Sequence, residues 1–146
     1  ANAIGARSER MDGYVDGNGL IAFGEPPHPR EAIPVEFTTI DGECERLGVS
    51  PSVVKIDIEG FEDRALAGAE RLLAGHPPIL LLEIHLDLLD ARGVRARDLV
   101  AGLERHGFTF HTTAGGRLTA RGVYNSAAAV IRCMARPAEE VSGLQI

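Results

Sequence analysis

The spacing of apolar residues changes character several times between Val35 and His106. Val35-Glu36-Phe37-Thr38-Thr39-Ile40 alternates with a period of two, which predicts a half-buried strand. Asp41 is placed to cap a short helix, Gly42 to Leu47, with Gly48 as its stop. Val53 to Ile58 is nearly all apolar, as expected of a strand covered on both faces. From Phe61 the spacing becomes helical: Phe61, Ala65, Leu66, Ala69, Leu72 and Leu73 form one stripe, ended by Gly75 and His76-Pro77-Pro78. Ile79 to His85 is a second buried strand, and a helix over about Ala96 to His106 turns Leu99, Val100 and Leu103 inward before Gly107. Phe108 to Thr113 and Ser126 to Ile131 read as two further strands, with Gly115-Gly116 turning between them.

The flanks are less periodic. Ala3-Ile4-Gly5 reads as the end of a strand and Asp16-Gly17-Asn18-Gly19 as a hairpin turn. Residues 25–34 hold Pro26, Pro27, Pro29 and Pro34 and read as a surface loop, since proline suits neither a central strand nor a helix interior. The tail, 136–146, has little to bury. The alternation of strands and helices predicts one α/β domain over 1–146, its sheet mostly parallel with an antiparallel pair at one edge.

Composition narrows the classes. A chain of 146 residues supports one domain with a core, and 45% apolar with 25% charged residues is ordinary for a soluble globular protein. A net charge of −6 argues against nucleic acid as a partner, because phosphate contacts need clustered Lys and Arg. Apolar runs such as Ile79 to Leu82 are far shorter than a membrane span, and no signal peptide opens the chain; a cytoplasmic protein is expected. Cys44 and Cys133 lie far apart without metal-ligand spacing and read as a reduced pair. Frequent Arg, Ala and Gly suit a GC-rich bacterial source. The chain starts at Ala1 rather than at methionine, so a processed chain, or part of something longer, is expected.

Chemistry concentrates in Val53-Val54-Lys55-Ile56-Asp57-Ile58-Glu59-Gly60-Phe61-Glu62. An apolar strand runs to two acids, and a glycine then opens a helix, in the place where α/β sheets collect ligands. Asp57 and Glu59 can take a proton, ligate a divalent cation or hydrogen-bond a cofactor; the plainer alternative is that one of them N-caps the following helix. Lys55, the only lysine in the chain, either reaches out along the sheet or pairs with a neighbouring acid. Glu83 and His85 end the next strand at the same spacing, so Asp57, Glu59, Glu83 and His85 are expected to share one crevice. Carboxylates around an imidazole suit general-base work. No Gly-x-Ser-x-Gly elbow is present, and no glycine-rich turn follows a strand and opens a helix.

Four blocks in order, V-E-F-T-T-I-D from Val35, V-K-I-D-I-E-G-F-E from Val54, Leu66-Ala67-Gly68-Ala69, and P-I-L-L-L-E-I-H from Pro78, resemble the FkbM-type methyltransferases. The resemblance covers roughly Ala3 to Ile131 and implies a Rossmann-like class I methyltransferase sheet with helices on both faces. It implies S-adenosylmethionine as cofactor and methylation of a hydroxyl on a small molecule, sugar or polyketide-like acceptor. It also implies that the first strands and the glycine-rich cofactor loop precede Ala1, leaving the C-terminal, substrate-side half of the domain here. Carried over, Asp57 and Glu59 lie near the transferred methyl, and Glu83 and His85 match the family's strand end. His85 or Asp57 is then the base, Glu59 and Glu83 orient it or the substrate, and a divalent metal could do the same work. Lys55 and His28 are the expected substrate-side residues, His28 on a proline-rich lid. A half-domain leaves a sheet edge exposed, so a homodimer through that edge is expected, and a non-catalytic truncated homologue that binds a partner is the main alternative function. A divalent-metal-dependent hydrolase using Asp57, Glu59, Glu83 and His85 as ligands is another.

Overall fold

The computed structural model describes residues 2–15, 21–23, 28, 31–124 and 127–138. Its first part is strand β1 (Asn2–Ile4), β2 (Glu9–Val15), β3 (Ile21–Phe23), β4 (Ile33–Thr38), helix α1 (Ile40–Leu47), β5 (Val53–Ile56), α2 (Glu62–Ala67) and α3 (Glu70–Gly75). The rest is β6 (Ile79–His85), α4 (Leu86–Ala91), α5 (Ala96–Arg105), β7 (Phe108–His111), β8 (Arg117–Leu118), α6 (Ala120–Tyr124) and β9 (Val130–Pro137). The fold is mixed α/β, with the strands in two sheets ordered β1-β4-β2-β3 and β5-β6-β9-β7-β8. The expected mostly parallel sheet is corrected: among the described strands only β1/β4 and β5/β6 pair in parallel.

The second sheet presents one face to the helices. Ile56, Leu80, Leu82, Ile84, Phe108, Phe110, Cys133 and Ala135 share that face by alternation and register, and they form one buried cluster with residues of α2 to α6. Leu80, Leu82, Ile84, Leu89 and Leu103 are wholly buried, each contributing about 1.5–3 kcal/mol of hydrophobic stabilisation. On the opposite face lie Val53, Lys55, Leu81, Glu83, Arg132 and Met134, none of them buried. Helices on both faces are therefore not found for this sheet among the described residues. No helix there is long and apolar enough to cross a membrane.

Several elements differ from the sequence reading. The last two expected strands do pair antiparallel, but β9 starts later, at Val130, and lies between β6 and β7 rather than at an edge. Arg136 and Pro137, assigned to the tail, pair with Thr109 and Phe108. Pro34, assigned to the proline-rich loop, lies inside β4, opposite Asp12 of β2. Turn 16–19 is outside the described residues, although its flanks β2 and β3 do pair antiparallel. The proline-rich loop 25–34 is described only at His28 and from Glu31 onward. The thiols Cys44 and Cys133 are free, and burial pushes Cys133 up to about 11.

The single helix expected from Phe61 to Leu73 is two helices, and the cause is tertiary. Thr39, not Asp41, caps α1, through Oγ1 to the Gly42 amide at 2.8 Å. Asp41 instead reaches α3, accepting from the amides of Arg71 at 2.8 Å and Leu72 at 2.9 Å. Its own amide donates to the Gly68 carbonyl at 2.9 Å. A β-carbon on Gly68 would lie 2.2 Å from the Gly5 carbonyl oxygen, so only glycine lets the end of β1 touch the break. Asp41→Ala is expected to cost about 1–2 kcal/mol, lowering Tm by roughly 3–8 °C in a thermal melt. Gly68→Ala should cost more, because backbone rather than a side-chain tip must move; an unchanged Tm would contradict the close approach.

Candidate active site

In the parallel pair β5/β6, Ile56 lies opposite Leu82, so β6 runs three residues past the last pairing to His85. The chain leaves β5 at Asp57 and turns through Glu59 and Gly60 into α2. Glu59, at φ 51, is the one non-glycine among the described residues in the left-handed region, a conformation that costs on the order of 1 kcal/mol. Gly60 follows at φ 88, and a β-carbon there would meet Leu88 Cβ at 2.5 Å. Neither Asp57 nor Glu59 caps α2: the N-cap position is Phe61, which makes no side-chain cap.

The turn brings carboxylates to His85, which is last in β6 and itself the N-cap position of α4. Its ring is buried; Nδ1 lies 2.8 Å from Glu62 Oε1 and Nε2 3.3 Å from Glu59 Oε2. Glu62 has no exposed surface, and its Oε1 also accepts the Gly60 amide at 2.9 Å. Glu62 Oε2 is buried without a hydrogen-bond partner among the described residues. With Glu62 Oε1 acting as acceptor, as it does for the Gly60 amide, the network assigns the proton of neutral His85 to Nδ1 and leaves Nε2 facing Glu59. Burial pushes the His85 pKa down, but the hydrogen bond to Glu62 and the charges of Glu62, Glu59 and Asp57 outweigh it, and the net shift is upward from 6.5.

A second group of charges lies on the open face of the sheet. Lys55 Nζ is 2.5 Å from Asp57 Oδ2 and 3.9 Å from Glu83 Oε1, while Arg132 holds Glu83 Oε2 at 2.8 Å. The hydrogen bond from Lys55 is the main reason the Asp57 carboxyl sits below its usual range; the same bond raises Lys55. Asp57, Glu59 and His85 each present a donor atom within 4.8 Å of the others. Glu83 is not among them, because its carboxylate is turned to Lys55 and Arg132. His28 is exposed and is not among the groups that converge on His85.

The sequence reading named Glu59, His85 and Asp57 but missed Glu62, although Glu62 closed the block it quoted. The available signal was an acid at the first position of a helix whose neighbours Ala65 and Leu66 form its buried stripe. A match to the methyltransferase FkbM domain covers residues 6–110, which include every member of this cluster. Comparison with curated proteins and with solved structures gave no match.

Because His85 binds its proton more readily in the folded chain, protonation favours the fold. That contribution is complete below the unfolded value near 6.5 and is lost as pH rises through the raised folded value. Glu62→Gln keeps an oxygen for Nδ1 and can turn its amide toward the unpartnered position, so it should fold. It is expected to lower the His85 pKa, read by NMR of the ring protons, and to weaken the fall in Tm as pH rises through that pKa. Identical titrations in both proteins would remove Glu62 from the site.

Proposed function

The chain belongs to the FkbM methyltransferase domain family, and from that premise we propose that it serves methyl transfer to a hydroxyl group, with His85 as general base. The observation that carries this reading is the Glu62–His85–Glu59 arrangement: a buried carboxylate holds Nδ1, and Nε2 faces the largely exposed carboxylate of Glu59. An alcohol is a poor nucleophile until its proton is taken as the new bond forms, and an imidazole whose proton affinity is raised by its carboxylate neighbours suits that task. Asp57 suits it less, because Lys55 lowers its proton affinity. In the proposed step the acceptor O–H gives its proton to His85 Nε2 while the oxygen lone pair forms the bond to the methyl carbon. Glu59 then steadies the imidazolium, and Glu62 keeps the ring aimed throughout. Holding the hydroxyl beside Nε2 is an orientation effect on the order of several kcal/mol.

S-adenosylmethionine, when bound, supplies the methyl on a sulfonium and takes the bond electrons as a neutral thioether. The charges of Glu59 and Asp57 fit a cationic donor. No described strand-to-helix turn carries more than one glycine. The acceptor is a small molecule, a sugar or a polyketide-like compound.

One observation favours a second reading, a non-catalytic homologue that completes a sheet with another copy. β5 pairs only with β6 among the described strands, and its Val53 is 52% exposed at that edge. An unpaired strand edge is a template for pairing.

His85→Asn is expected to lower the rate of methyl transfer from labelled S-adenosylmethionine by about 10²–10⁴-fold, leaving donor binding by calorimetry unchanged. In the wild type, kcat/KM should rise with pH through the His85 pKa and then level. An unchanged rate in His85→Asn would overturn its role. Absence of donor binding, with a dimer in sedimentation that Val53→Lys dissociates, would support the second reading; a monomer would remove it.

A further inference from the structure

The turn that presents Glu59 to His85 is held from outside by the helix that begins at His85. α4 follows His85 directly and ends at Ala91, with Arg92 in its C-cap position. Midway along it, Leu88 rests on Gly60 so closely that no β-carbon fits between them. At its end the Arg92 guanidinium donates to the Gly60 carbonyl, pairs with Asp63 Oδ1 at 2.8 Å, and stacks over the Phe61 ring at 4.4 Å. A short helix thus grips one turn at both ends. His85 holds Glu62 and faces Glu59, and Arg92 holds Gly60, Phe61 and Asp63.

Glu59 needs such a hold. Its backbone is in the left-handed region, its side chain is more than half exposed, and its only ion-pair partner among the described residues is His85. A turn left free would relax Glu59 toward ordinary backbone and swing its carboxylate into solvent. The peptide plane directly after Glu59 is held by the Gly60 amide on Glu62, and Arg92 holds the next plane through the Gly60 carbonyl, so the turn is pinned on both sides of Gly60. A planar guanidinium can serve a carbonyl, a carboxylate and a ring face at once, which an ammonium cannot.

We propose that Arg92 is a positioning residue for the His85 site, clamping the Gly60 carbonyl and the Phe61 ring so that the Glu59 carboxylate stays against His85 Nε2. The proposal deepens the reading of His85 as the base, but its test needs neither donor nor acceptor. A failure to methylate and a failure of the clamp are therefore separate results.

The sign of one titration distinguishes a clamp from a remote charge. The groups that face His85 are Glu62 from α2 and Glu59 and Asp57 from the turn; Lys55, Glu83 and Arg132 lie behind Asp57 on the sheet. If Arg92 acted only through its positive charge, its removal would raise the His85 pKa, and the Asp63 left unpaired would raise it further. If Arg92 is the clamp, removal releases Glu59 and the pKa falls.

The His85 ring protons would be titrated by NMR in the wild type, Arg92→Met, Glu59→Gln and the double variant, with amide dispersion and circular dichroism confirming the fold. The expected result is a fall in Arg92→Met, a fall in Glu59→Gln, and no further fall in the double variant, because both remove one contact. Arg92→Lys, which keeps the charge, is expected to fall as well and carries the same cycle if Arg92→Met does not fold. A rise or no change on removing Arg92, or falls that add in the double variant, would overturn the clamp.

Discussion

A carboxylate taken out of water must be answered by donors or by positive charge, and the penalty for leaving it unanswered is several kcal/mol. Glu62, with no exposed surface, is answered by the Gly60 amide and by the His85 ring. That demand ties the first residue of α2 to the last residue of β6, two elements that are not neighbours in the chain. It also sets the direction of the imidazole. With Nδ1 committed to Glu62, Nε2 is the only ring nitrogen left for chemistry, and it faces Glu59. The orientation of the ring follows from this bond, which is also the largest of the contributions, with Glu59 and Asp57, that raise the His85 pKa.

Close backbone approach supplies the frame around that bond. At Gly60, α4 lies against the turn with no room for a side chain, and at Gly68 the end of β1 touches the break between α2 and α3. Both contacts bring two backbone segments nearer to each other than packed side chains would permit. Asp41 joins the second of them by capping α3 from another helix, so the break after α2 is fixed by groups far away in sequence. The turn at Glu59 therefore sits between two rigid supports, which is how a strained residue is kept in one conformation.

The two faces of the five-stranded sheet have divided roles. One is apolar and carries the helices. The other carries Lys55, Asp57, Glu83 and Arg132 in a chain of ion pairs that ends beside the His85 site. Exposed pairs of this kind add little stability. Their effect is local: Lys55 keeps Asp57 ionised and engaged, which leaves the proton-transfer role to His85.

Much of this was legible in the residues. Period two at Val35–Ile40, the apolar run to Ile56 and the run from Ile79 to His85 give strands β4, β5 and β6, because local alternation and β-branching do not depend on partners. The stripe Ala65, Leu66, Ala69, Leu72 and Leu73 identifies the buried side of α2 and α3. The pairing of acids with a histidine two strands' ends apart points to Asp57, Glu59 and His85. What the chain could not reveal is everything that requires two distant segments to meet. Asp41 looks like the cap of its own helix until α3 is brought to it, and Glu83 looks like a member of the cluster until Arg132 arrives on β9 and turns it away. β9 enters between β6 and β7 because the second sheet pairs antiparallel there, a choice of partner that its own apolar pattern does not encode. Glu62 reads as an ordinary acid in a first helical turn; only burial against His85 makes it the residue that aims the site. Local spacing determined which segments became strands and helices, whereas hydrogen-bond satisfaction and desolvation, which depend on the whole packed chain, decided which side chains face one another.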